Sequence, residues 1–120
     1  MKTMSKAPRA PKRLNEAQAA DGFAALGNRA RLRLLRLLVR AGGEGLNVSD
    51  VGRLMEMPAS TLAHHLSALV SAGLVIQDRR GREVICTADF AAIRGVGAYL
   101  VEECCAGIDG LASATRTDAA

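Results

Sequence analysis

Pro58 limits what this chain can fold into more than any other residue. It separates two short amphipathic segments, "NVSDVGRLMEM" and "ASTLAHHLSALVSAGL". Proline is excluded from a helix interior but tolerated where a helix begins, so the first segment must stop and the second start within a few residues. Two short helices joined that tightly predict a helix-turn-helix unit. In the first, Ser49 reads as the cap and Val51, Leu54 and Met55 as a small apolar face. In the second, Leu62, Leu66, Leu69 and Val70 fall at i, i+4, i+7 and i+8 and form a core-facing stripe. Ser60, His64, Ser67 and Ser71 take the opposite side, with Thr61 and Ala68 flanking, and Gly73 suits the position just past the helix end.

The segments on either side complete a mainly α chain with one β-hairpin. "NEAQAADGFAAL" (15–26) predicts a first helix with Asn15 as cap, and Asn28 caps "RARLRLLRLLVRAG". Leu34, Leu35, Leu38 and Val39 face inward there, while Arg29, Arg33, Arg36 and Arg40 form a stripe read as a solvated face in preference to a nucleic-acid surface. "LVIQDRRGREVICTA" gives two β-rich runs around a turn in which Gly81 supplies positive φ, with Arg79, Arg80 and Arg82 at the tip. "ADFAAIRGVGAYLVEECCAG" predicts a long last helix from about Asp89 to Cys105, with Phe90, Ile93, Val96, Leu100 and Val101 inward. Gly95 and Gly97 weaken that helix or let another helix approach closely.

A helix-turn-helix followed by an arginine-tipped hairpin is a winged-helix arrangement. Physically, a small polar helix face enters a major groove while the hairpin reaches neighbouring phosphates. The groove face offers Ser60, Thr61, His64, His65 and Ser67 rather than Arg, Asn or Gln. Few bidentate base contacts are then available, so phosphates and duplex shape contribute much of the binding. His64 and His65 do not form a metal pair, because neighbours on a helix point about 100° apart; His65 falls near the apolar stripe, which fits a structural or phosphate-binding role.

Composition adds bounds. The 120 residues suffice for one domain, and with no Trp, two Phe and one Tyr its core is built from Leu, Val, Ile and Ala. No apolar run approaches the roughly 20 residues of a membrane span, and the basic N-terminus is not followed by the apolar stretch of a secretory signal. A cytoplasmic location with free thiols or metal-ligating cysteines is expected. Of the net +4, residues 1–40 carry +8 and residues 41–120 carry −4. "MKTMSKAPRAPKR" reads as a disordered basic arm over 1–14, either lying along phosphates or acting as a solubilising tail. Residues 15–107 form the winged domain and 108–120 a polar tail.

Three separated stretches, in order, resemble the ArsR/SmtB family of bacterial metalloregulatory repressors: "ALGNRARLRLLRLL", "STLAHHLSALVSAGLV" and "RRGREVICTA". The likeness spans about residues 15–106. It implies a winged helix-turn-helix homodimer held by its first and last helices, bound to double-stranded operator DNA until an inducer releases it. Ser60, Thr61, His64 and His65 fall on the recognition-helix motif, and Ala63 departs from it where the family commonly has Ser.

The resemblance also narrows the inducer. The family's Cys-Val-Cys metal site falls here on Asn47 and Ser49, and the last helix holds no His for a zinc site. The second helix has no cysteine of the kind persulfide and redox sensors use. Cys86, Cys104 and Cys105 remain as candidate ligands. A helix of 15 residues separates Cys86 from Cys104 by roughly 22 Å within one chain. Antiparallel last helices in a dimer would instead bring Cys86 of one chain to Cys104 or Cys105 of the other. Two or three thiolates suit trivalent arsenic, as arsenite or methylarsenite, better than zinc; antimonite is a further soft candidate. Glu102, Glu103 and the helix C-terminus disfavour a thiolate at Cys104 and Cys105, which suits metalloid capture over spontaneous oxidation. Loss of Cys86 or Cys104 is then expected to abolish induction while leaving repression intact. The alternatives are a same-fold repressor answering oxidants or persulfides, and a small cysteine-dependent reductase. The reductase needs a cysteine near a helix N-terminus or a cation, and none has that setting. Free cysteines also serve as small buried hydrophobes, a reading that applies to all three.

Overall fold

A computed structural model describes residues 10–104, so Cys105 and the polar tail lie outside the described residues. The elements are α1 (Glu16–Leu26), α2 (Arg29–Ala41), β1 (Leu46–Asn47), α3 (Val48–Met55), α4 (Ala59–Ser71), β2 (Val75–Arg80), β3 (Glu83–Ala88) and α5 (Phe90–Ala98). A short 3-10 turn (Gly42–Glu44) links α2 to β1, and a wider π-helical segment (Tyr99–Cys104) continues from α5.

Helix starts follow the capping chemistry. Asn15 Oδ1 accepts from Gln18 N at 2.8 Å while Gln18 Oε1 accepts from Asn15 N at 2.9 Å, a reciprocal box that satisfies two otherwise orphan donors. Asn28 caps α2 through Arg31 N, and Asp89 caps α5 through Ala92 N. The cap of α3 is Asn47, not Ser49: Asn47 Oδ1 accepts from Asp50 N at 2.8 Å, and Ser49 is already inside the helix. The reason is a strand absent from the sequence-based expectation. Leu46 and Asn47 pair antiparallel with Cys86 and Ile85, so the chain leaves a sheet directly into α3. The sheet is therefore three-stranded, in the order β1-β3-β2.

The core is aliphatic and continuous. Leu34, Leu35 and Leu38 of α2, Val51 and Met55 of α3, and Leu62, Leu66 and Leu69 of α4 close on Leu74, Val75, Cys86, Ala88 and Val96. Four expected inward residues are exposed, and Val70, Phe90 and Ile93 are only partly buried. Val39, Leu54 (50% exposed), Leu100 (47%) and Val101 (62%) face outward. Periodicity marks an apolar side but not where a helix stops being covered, and the last two lie beyond α5 in the π-helical segment.

The basic arm is pinned at its inner end. Lys12 N donates to Ala91 O at 2.8 Å, Lys12 Nζ reaches Asp89 Oδ2 at 3.4 Å, and Leu14 packs against the core. A Cβ on Gly95 would collide with Lys12 O, so this glycine admits the extended N-terminal chain rather than another helix. The reading of residues 1–14 as a loose arm thus fails for its last three residues; residues 1–9 lie outside the described residues.

Candidate nucleic-acid interface

The turn between α3 and α4 is made by Glu56, Met57 and Pro58. Glu56 takes a left-handed conformation (φ 54°) and its N–H bonds back to Arg53 O, while Met57 N returns to Gly52 O at 3.1 Å. Those bonds satisfy the end of α3, and Pro58 in extended geometry starts α4 without a side-chain cap. With Leu62, Leu66 and Leu69 buried, Ser60, Thr61, His64 and Ser67 stand exposed along the outer side of α4. Five of the residues expected at the DNA face therefore share one helix, four of them open.

His65 is the fifth and differs from the rest. It is half-buried, and its Nδ1 accepts a hydrogen bond from Arg31 Nε of α2 at 3.2 Å. Burial, then the nearby Arg31 charge, then His64 hold its pKa below the ordinary value. The ring is thus neutral at neutral pH, with Nδ1 as acceptor and the proton on Nε2. The rings of His64 and His65 lie 5.5 Å apart at a tilt of 54°. Arg31 is inconspicuous in sequence because it sits in an arginine-rich helix. A signal is present all the same: at about 100° per residue it lies about 200° from Arg29, on the leucine side rather than with the other arginines.

The hairpin joins Arg80 to Glu83 through the two-residue turn Gly81-Arg82, and Gly81 has φ 64°. Positive φ at the first turn position is what a two-residue hairpin needs there, and glycine supplies it without strain. All three wing arginines are exposed, but they are not equivalent. Arg80 Nε is 3.0 Å from Asp78 Oδ2, two residues back on the same face of β2. Arg79 and Arg82 have no carboxylate partner among the described residues and offer their charge outward.

Of the cysteines, the described residues include Cys86 and Cys104, both free thiols, the first buried and the second exposed. Cys86 is 0% exposed on the central strand, flanked by Leu46 and Gln77, whose Nε2 lies 3.6 Å from its Sγ. Burial pushes its thiol pKa up, partly offset by the Gln77 contact. Cys104 is exposed at the end of the π-helical segment, and Cys105 lies outside the described residues. Among the described residues no three His, Cys, Asp or Glu side chains converge as a metal-ion site. Asp89, at the start of α5, already caps that helix and pairs with Lys12. No helix among the described residues is long and apolar enough to cross a membrane.

Comparison with known proteins agrees with this geometry. A helix-turn-helix domain model matches residues 26–78, from the end of α1 into β2. No curated protein sequence matches significantly. An ArsR-like transcriptional regulator from Rhodococcus sp. RHA1 is 28% identical, covers 86% of this chain and 93% of its own, and superposes with a TM-score of 0.69. A possible transcriptional regulatory protein of Mycobacterium bovis (fragment 1–100) is 30% identical over 76% of this chain and 92% of its own, TM-score 0.57. The homodimeric winged helix-turn-helix DNA-binding domain Mb0332 of M. bovis, a possible ArsR-family transcriptional regulator, is 28% identical over 78% and 82%, TM-score 0.58. A chain with this helix-turn-helix, this arginine-tipped wing and these likenesses belongs to the ArsR family of winged helix-turn-helix transcriptional regulators.

Proposed function

We propose that the protein is a homodimeric repressor that holds double-stranded operator DNA and lets go when a trivalent arsenical, arsenite or methylarsenite, is captured by cysteine thiolates. The DNA half rests on one observation: an exposed Ser/Thr/His face on α4 beside a hairpin whose tip carries two arginines with no carboxylate partner among the described residues. α4 enters the major groove, where Ser60, Thr61, His64 and Ser67 meet base edges and phosphates. His65, steadied by Arg31, turns its Nε2–H toward the backbone, and Arg79 and Arg82 anchor the wing on phosphates. Arg80, already matched to Asp78, contributes less. Homodimer formation is supported by Leu100 and Val101, exposed just beyond α5, and by the homodimeric state of Mb0332.

The sensor half rests on Cys104, exposed and next in sequence to Cys105. Methylarsenite needs two thiols: each gives up its proton, two As–S bonds replace two As–OH bonds, and two waters leave. Arsenite takes a third thiolate, which a dimer can supply from its second copy of the pair. Cys86 is assigned to core packing, because reaching it requires parting β3 from its neighbours.

The test is fluorescence anisotropy of a short duplex enriched from a randomised pool on the protein itself. Methylarsenite, arsenite, antimonite, zinc and peroxide are added in turn to wild type, Cys86→Ala and Cys104→Ser. The arsenicals should free the duplex from wild type and Cys86→Ala, and leave Cys104→Ser bound. Release by peroxide alone would replace the arsenical reading with a thiol-redox one.

A further inference from the structure

The four arginines of the α2 stripe belong neither to the α4 face nor to the wing. Arg29, Arg33, Arg36 and Arg40 are all exposed, while Leu34, Leu35 and Leu38 on the other side are buried. Arg31, on that buried side, bonds to His65 of α4. At 3.6 residues per turn the stripe therefore points away from α4, across a helix roughly 10 Å thick, and does not face the groove that α4 enters.

The stripe also carries unfavourable energy with no visible compensation. α2 contains five arginines and no acid, so every i, i+4 and i, i+3 pair along the stripe is like-charged. Arg29 sits in the first turn, where the helix dipole disfavours a cation. The ion pairs among the described residues, Lys12–Asp89, Arg53–Asp50 and Arg80–Asp78, leave out all four arginines. A merely solvated helix face usually alternates signs and avoids this repulsion.

We infer that this face is a second duplex-binding surface, which lets a repressor seated on its operator hold another stretch of DNA. The row runs about 16 Å along the helix axis, with guanidinium groups spaced to follow one phosphate strand. Guanidinium forks bind phosphate oxygens in pairs, and a polyanion relieves the repulsion along the row. A protein partner fits less well: protein interfaces centre on apolar and aromatic side chains, whereas Leu32 and Val39 only border this row on one edge.

The inference rests on the DNA-binding reading, and the experiment separates the two. A duplex enriched from a randomised pool is fixed to beads and saturated with protein, and a fluorescent mixed-sequence duplex is then offered. Wild type should capture the second duplex in a salt-sensitive way. Arg33→Gln/Arg36→Gln should lose about tenfold in capture, with the salt slope falling by about 0.9 for each phosphate no longer neutralised. Its anisotropy titration on the first duplex should match wild type, which also shows that it folds. Failure to bind the first duplex would overturn the DNA-binding reading and with it this inference. A bound first duplex with no second, equal capture by the variant, or an equal loss on the first duplex would each overturn the second surface alone.

Discussion

Arg31 and His65 show how one contact couples stability to the reading face. The bond from Arg31 Nε requires a lone pair on His65 Nδ1, so protonating the ring removes it. Because the folded-state pKa is lowered, the unfolded chain binds a proton more readily. Stability contributed here is full above the ordinary imidazole value of about 6.5 and is lost as pH falls through it toward the folded value. Urea titrations between neutral and mildly acid pH should show that decline in wild type and a flatter profile in His65→Gln. Arg31→Met should lose about 1 kcal/mol and weaken duplex binding with Ser60, Thr61 and His64 intact. Unchanged urea midpoints in Arg31→Met would show that the bond contributes nothing to stability. At this scale the sequence is readable for caps with a local signal: Asn15, Asn28 and Gly73 stand where their chemistry places them. It is silent on Arg31–His65, a pairing 34 residues apart, and offers burial of Cys86 only beside the ligand reading, since the strand partner at Leu46 leaves no local pattern.

Among elements, the wing and the pinned arm lead to different experiments. Within the wing, Arg82→Gln and Arg79→Gln should each weaken duplex binding across sequences and reduce the salt slope by about 0.9, whereas Arg80→Gln should change it less because Asp78 already matches that charge. Equal effects at all three positions would contradict the division. For the arm, Gly95→Ala drives a methyl group into the backbone of Lys12 and should free residues 12–14 from α5 at about 1–3 kcal/mol, read by thermal melts and by faster amide exchange at Lys12. Retained exchange protection at Lys12 would show that the arm shifts without detaching. The helices and the hairpin are legible in sequence because their periodicities are local. β1, only two residues long, has no period to detect, and the arm's docking is written in a backbone hydrogen bond and a missing Cβ.

For the whole molecule, the apolar residues that sequence placed in the core and structure places outside are informative. Leu100 and Val101 follow a helical pattern that the protomer does not cover, as expected of a surface that meets a second copy. A two-fold dimer presents two α4 helices to one duplex, and its symmetry must appear in the DNA it prefers. Selection from a randomised duplex pool reads that directly. Two symmetric reading helices predict enrichment of an inverted repeat whose half-sites are about 34–36 Å or a multiple of that apart, with His64→Ala blurring bases in both halves alike. A pool that emerges with no sequence enriched, or with a single unrepeated site, would contradict a two-fold repressor reading DNA through α4.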